Sequence, residues 1–184
     1  KYYLVMENDF IFFNSLFDKK ITINFNGYSC LNCGSSEEIF RQGHCKKCFF
    51  DLPSTAEWII RPEMSRAHLG IEDRDLEYEK QVQIQPHILY LAYTSGIKIG
   101  VTRKSQVPTR WIDQGAVKAV EIIEVPNRYL AGISETKLKE KYNDKTNWRE
   151  MLKTSTTDVD LVKEKSECLS YLPDEVLQLS LIHI

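Results

Sequence analysis

No run of apolar residues in this 184-residue chain approaches the about eighteen needed to cross a bilayer, so no membrane partner is expected. The opening "KYYLVMENDFIFFNSLF" carries Glu7 and Asp9, and lacks the basic region, continuous apolar segment and small-residue cleavage site of a signal peptide. A cytoplasmic location is therefore the expectation. Charge of one sign is also missing: 24 Lys and Arg against 26 Asp and Glu leave a net charge of -2, which excludes a uniformly basic coat and confines any cationic surface to a local patch. With 42% hydrophobic and 27% charged residues, the composition excludes disordered and fibrous classes. There is no low-complexity tract, and no internal repeat beyond two cysteine pairs. The closing "LQLSLIHI" reads as an element cut short.

What is present divides into four parts. Residues 1–53 hold an aromatic segment, then "KITINFNGYSC", where Ile21, Ile23 and Phe25 alternate with polar residues as in a half-buried strand, and then the cysteines. Residues 54–86 read as a connector with a short helix near 54–67, followed by "GIEDRDLEYEKQVQIQP", whose acidic residues suggest a solvated face. Residues 87–153 begin with a hairpin over about 87–101 around Ser95-Gly96. Pro108 then opens a helix carrying Arg110 and Trp111, Gly115 stops it, and "KAVEIIEVP" forms a third strand closed by Pro126. A helix follows from Tyr129, and a short one in "TNWREMLK" is capped by Thr146 or Asn147. Residues 154–184 are a helical extension capped by Thr157 or Asp158, with Pro173 ending its helix. The expected fold class is α+β: a small four-cysteine ribbon followed by a compact β-β-α-β-α-α domain.

The sharpest local pattern is "CLNCGSSEEIFRQGHCKKCF", in which Cys30 and Cys33 form one C-x2-C pair and Cys45 and Cys48 another. Two such pairs can close four thiolates tetrahedrally around zinc, each pair making one knuckle, with Gly34 and Gly43 suited to the turns. Four occupied ligand positions leave none for water, so the zinc is structural. Disulfides and packed free thiols are the alternatives. His44 is better suited to the turn than to ligation. Cys168 reads as a small core residue of the C-terminal helix.

A second set of residues has the types that phosphodiester chemistry uses. Cations must stand where negative charge develops, and a carboxylate must hold a divalent ion such as magnesium or manganese. Arg110 offers a planar fork to phosphate oxygens, Lys98 and Arg103 lie on the hairpin, and Glu135 supplies the carboxylate. Each also has an ordinary reading: Tyr90 as a strand aromatic, Lys98 and Arg103 as solvated strand ends, Arg110 as a snorkelling helix residue, and Glu135 as part of an exposed charge pattern with Lys139. His87 fits a hydrogen bond at a strand start, and Trp111 and Trp148 fit packing better than base stacking. Asn147 and Arg149 fit capping and solvation better than a pocket edge. Composition alone does not select among these readings.

The segment "ILYLAYTSGIKIGVTRKSQVPTRWIDQGA" resembles the first half of a GIY-YIG-type nuclease core, in the branch whose second signature reads "KIGxT". "ILY" at 88–90 matches the first signature and "KIGVT" at 98–102 the second. Arg110 matches the helix arginine, and Glu135 in "ISETKLKEKY" the glutamate. Across residues 20–153 the ribbon, "QPHILYLA", "VPTRWIDQGA" and "TNWR" also resemble an uncharacterised bacterial domain family. The resemblance implies that Tyr90 positions or activates water, Arg110 contacts phosphate, and Glu135 holds the divalent ion. Lys98 stands where many members carry tyrosine. Lysine keeps its proton at neutral pH, so it suits phosphate attraction or leaving-group stabilisation better than water activation.

The expectation is a nucleic-acid-binding protein, DNA or RNA, with divalent-metal-dependent phosphodiester hydrolysis at Tyr90, Lys98, Arg110 and Glu135. Lys98, Arg103, Lys104, Arg110 and Gln114 would make the nucleic-acid contacts. A catalytically silent binding module and a zinc-stabilised protein-interaction domain are the competing functions.

Overall fold

The computed structural model describes residues 2–6, 8–143, 145, 147–153 and 159–180. The chain separates into two units, Lys1–Cys48 and Phe49–Ile184.

The first unit opens with two short strands, β1 (Tyr3–Val5) and β2 (Phe10–Phe12), paired antiparallel. The strand expected over 21–26 does not form. Ile21, Ile23 and Phe25 are 54%, 90% and 74% exposed, so their alternation has no opposing layer to bury against. The chain instead runs irregularly to the cysteine region, whose second pair leads into α1 (Lys46–Asp51).

The second unit is mixed α and β. Its first stretch, expected as a connector, contains α2 (Glu57–Ile60), two short 3-10 turns at Pro62–Met64 and Ala67–Leu69, and α3 (Leu76–Gln83). The supposed solvated face is partly interior. Glu79 is 1% exposed and accepts the backbone N–H groups of Asp73, Arg74 and Asp75, while Asp75 caps α3 through the Tyr78 amide. Arg74 donates to the carbonyls of Phe49 and Leu52 and to the Thr55 hydroxyl, which closes this stretch on itself.

The strands β3 (His87–Tyr93), β4 (Ile97–Arg103) and β5 (Lys118–Val125) form an antiparallel sheet in the order β4-β3-β5. Every residue of central β3 is buried, because both sheet faces are covered. On one face Leu89, Leu91 and Tyr93 pack with α5 (Arg128–Leu138) and α7 (Leu161–Leu169). On the other, Ile88, Tyr90 and Ala92 pack with Val107, Ala116, Ala119 and Trp111 of α4 (Thr109–Asp113). The short α6 (Trp148–Met151) and α8 (Asp174–Leu179) complete the unit.

The strand and helix order from residue 87 agrees with the sequence reading. Gly115, at φ +67°, ends α4, and β5 stops one residue before Pro126. Asn147 caps α6, and Cys168 is a fully buried core residue. The C-terminal helix differs: Asp160 caps α7, α7 ends at Leu169, and Pro173 precedes α8 rather than closing α7. Thr146, Thr157 and Asp158 lie outside the described residues. No described helix is long and apolar enough to cross a membrane.

Two glycines shape the second unit. A Cβ on Gly100 would stand 2.6 Å from the Tyr90 hydroxyl oxygen, so the phenol lies directly over edge strand β4. A Cβ on Gly132 would stand 2.2 Å from the Glu63 amide nitrogen, so α5 meets the 62–64 turn backbone to backbone.

Candidate functional site

In the first unit the sulfurs of Cys30, Cys33, Cys45 and Cys48 all lie within 4.8 Å of one another, and all five cysteines of the chain are free thiols. The Cys33 and Cys45 sulfurs are 3.9 Å apart, against about 3.8 Å for two thiolates sharing a tetrahedral zinc. That spacing is too long for a disulfide bond.

Each pair sits in a turn that aims both sulfurs inward. The Gly34 amide donates to the Cys30 carbonyl with Gly34 at φ +69°. Gln42 and Gly43, both at positive φ, turn the chain between Arg41 and His44. The Cys45 amide donates to Cys30 Sγ at 3.3 Å, and the Asn32 amide group donates to Cys48 Sγ at 3.3 Å. Backbone N–H groups of Cys33 and Cys45 pull the Cys30 thiol down to about 5, so it is a thiolate at neutral pH. Asn32 pulls the Cys48 thiol down as well, but burial and the three neighbouring sulfurs outweigh it and push Cys48 up to about 12. Thiolates so close repel one another unless a cation stands among them. The donor set therefore fits a metal such as zinc. His44 is not one of the grouped ligands.

In the second unit β3 and β4 pair with Tyr90 opposite Gly100 and His87 opposite Arg103. On its other side β3 meets β5 with a register shift between Leu89 and Tyr90, where Ile122 of β5 is the extra, unpaired residue. Tyr90 is 1% exposed, leans on Trp111 with ring centroids 5.9 Å apart, and donates its hydroxyl hydrogen to Gln114 Oε1 at 2.9 Å. Burial raises its pKa. The Arg110 guanidinium opposes that shift by charge and by hydrogen bonding, Gln114 opposes it too, and the Glu135 carboxylate adds to it. The phenol is thus neutral at neutral pH, and its oxygen accepts from the Arg110 guanidinium while its hydrogen goes to Gln114. Tyr90, Arg110, Gln114 and Glu135, spread over 46 positions of sequence, act on one hydroxyl.

Arg128, which the sequence reading passed over, belongs with them. It donates to the carbonyls of Trp58 at 3.2 Å and Ile59 at 2.8 Å, and its guanidinium lies over the Trp58 ring. Burial lowers its pKa to about 10, Glu135 opposes this, and the charges of Arg103 and Arg110 add to it. Glu135, Arg103 and Arg110 therefore each lie within electrostatic reach of Arg128. The sequence did carry a signal: Asn127 caps α5 through the Leu130 amide, which puts Arg128 in the first turn, where the helix dipole disfavours a cation.

The remaining candidates are less central. Lys98 is 6% exposed rather than solvated, and opposes Ala92 one step along the Tyr90 face. Lys104 is exposed and engages Glu124 at 2.7 Å. Glu135 is 8% exposed and paired with Lys139 at 3.2 Å. Trp148 is 60% exposed, beneath the Arg149 guanidinium, so it is not a core residue.

His87 is wholly buried. Its Nδ1 meets the Gln85 carbonyl at 2.7 Å and its Nε2 has no hydrogen-bond partner. Burial lowers its pKa to about 4, with Arg128 and Arg103 adding to the effect. Since unfolding would return it to about 6.5, its contribution to stability is complete above that pH. It falls away by about 3 kcal/mol as the pH drops through 4. Urea melts between pH 7 and pH 4 should therefore lose midpoint more steeply for the wild type than for His87→Gln. Equal slopes would mean the imidazole is not held neutral.

No curated protein and no solved structure matches the chain. A family model does: residues 18–182, the cysteine pairs and the β3-β4-β5 sheet included, match DUF2797, described as a protein of unknown function, and the chain belongs to that family.

Proposed function

We propose that this protein binds nucleic acid through a phosphate-recognising site in its second unit, that this unit is a GIY-YIG-like core, and that zinc steadies the cysteine unit. The observation that carries the reading is the convergence on Tyr90. Its hydroxyl is held by Gln114 under the Arg110 charge, with Arg103 and Arg128 close enough to shift neighbouring protonation equilibria. With two guanidiniums and one carboxylate acting on Arg128, positive charge exceeds negative there, which suits a phosphodiester. Arg110 is the exposed member and would take the phosphate oxygens directly.

Two observations bear on whether the site also cleaves. With one Tyr90 lone pair taken by the Arg110 guanidinium, the other would orient a water molecule, which favours hydrolysis. Against that, the Glu135 carboxylate already holds the Lys139 ammonium and faces the Arg128 charge, so magnesium or manganese at Glu135 would have to displace a resident cation. The residues present do not make a ready divalent site, and binding is the better supported reading.

The test is affinity for short single-stranded and duplex oligonucleotides as a function of salt. Arg110→Ala is expected to weaken binding about tenfold and to flatten the salt dependence by about one phosphate contact. Absence of binding by the wild type at low salt would overturn the reading and favour a protein-interaction domain. Metal-dependent cleavage that disappears in both Arg110→Ala and Glu135→Ala would promote the site to a nuclease.

A further inference from the structure

At the start of α5 lies a pocket lined by Glu63, Met64, Ser65, His68, Leu69 and Tyr129, with Arg66 also on its wall. It is mainly apolar, and two of its walls are aromatic: the His68 and Tyr129 rings stack with centroids 4.8 Å apart and planes 27° apart. A cavity floored by a stacked ring pair suits a flat ring better than an aliphatic chain.

Its place on α5 says which flat ring. Tyr129 follows Arg128, so the pocket wall and that cation are adjacent residues, and Glu135 stands six residues on, about 9 Å along the helix. Arg66 adds a further cation at the pocket. A nucleotide with its phosphate at Arg110 and Arg128 and its base unstacked meets both features at once. We infer that the pocket between His68, Leu69 and Tyr129 receives an unpaired nucleobase, so that the protein prefers single-stranded or locally opened nucleic acid. This inference rests on the nucleic-acid reading and deepens it.

The test separates bases from phosphates. A fluorescently labelled single-stranded oligonucleotide is compared with one of equal length and charge built from abasic sites. The wild type is expected to bind the base-bearing strand about tenfold more tightly, the size of one stacked base. In His68→Ala and Tyr129→Leu, with folding checked by thermal melts, the ratio should fall toward one while affinity for the abasic strand stays unchanged. Equal affinity of the wild type for both strands, or a ratio untouched by both substitutions, would overturn the pocket assignment and leave the phosphate site standing. Failure of the wild type to bind either strand would sink the nucleic-acid reading and the pocket with it.

Discussion

Replacing Cys45 with serine is expected to strip the chain of stoichiometric zinc and to open residues 1–48 to protease. The reason is the composition of that unit's interior. Among its described residues, the buried apolar side chains are Cys30, Cys45 and Cys48, while Ile21, Ile23, Phe25 and Leu31 face solvent. With so little apolar surface removed from water, burial cannot offset the entropy of ordering the segment. On the zinc proposal the free energy comes from ligation, which for structural zinc in small domains is on the order of 10 kcal/mol at neutral pH. Cys45 is the most telling position because its amide also donates to Cys30 Sγ, and that bond helps keep Cys30 a thiolate. Metal analysis of the purified variant together with limited proteolysis checks the prediction, and treatment of the wild type with a strong chelator should reproduce the cleavage pattern. An unchanged zinc content, or equal protease resistance with and without metal, would show that something other than a four-sulfur centre orders this unit.

The second large effect is expected from Gly132→Ala. In a helix interior this change ordinarily stabilises by about 0.5–1 kcal/mol, because glycine has more backbone freedom to lose. Here the sign should reverse. A methyl group at 132 would fall 2.2 Å from the Glu63 amide nitrogen and 2.4 Å from the Pro62 carbonyl carbon, both backbone atoms with no rotamer to change. Either α5 or the 62–64 turn must move. Movement would also pull Arg128 away from the Trp58 and Ile59 carbonyls and shift Glu135, which lies one turn along from 132. The cost is expected at or above the upper end of the range for overpacking, about 3 kcal/mol, read as the fall in a urea midpoint. A variant as stable as the wild type would mean that α5 does not rest on that turn, and the pocket beside Tyr129 would lose its support too.

How much of this was legible beforehand depends on whether the signal was local. The hairpin around Ser95-Gly96, the helix carrying Arg110, its stop at Gly115 and the strand ending before Pro126 follow from turn chemistry and apolar spacing over a few residues. The two C-x2-C pairs were equally plain, since ligand spacing is itself a local property. The alternation at Ile21, Ile23 and Phe25 misled because a period of two records only that one face could be buried. No second layer covers it. The acidic run at 72–79 misled in the opposite direction, since Glu79 turns inward to bind three backbone amides.

Arg128 was missed for a related reason: its partners are carbonyls about seventy residues earlier in the chain. Pairing of Glu135 with Lys139 was visible as an i, i+4 spacing, but its bearing on metal binding emerges only when the Arg128 charge is seen to reach the same carboxylate.

The amino-acid sequence by itself determined the order of elements in the second unit, the four sulfur ligands and the residue types available for gripping phosphate, because each is written in short-range pattern. Only the tertiary structure decided which charges act on Arg128, that the stretch before β3 is part of the folded unit, and that a stacked ring pair lines a pocket at the start of α5. Those outcomes depend on contacts between distant segments, and on a glycine at 132 that lets two backbones touch, which no local spacing records.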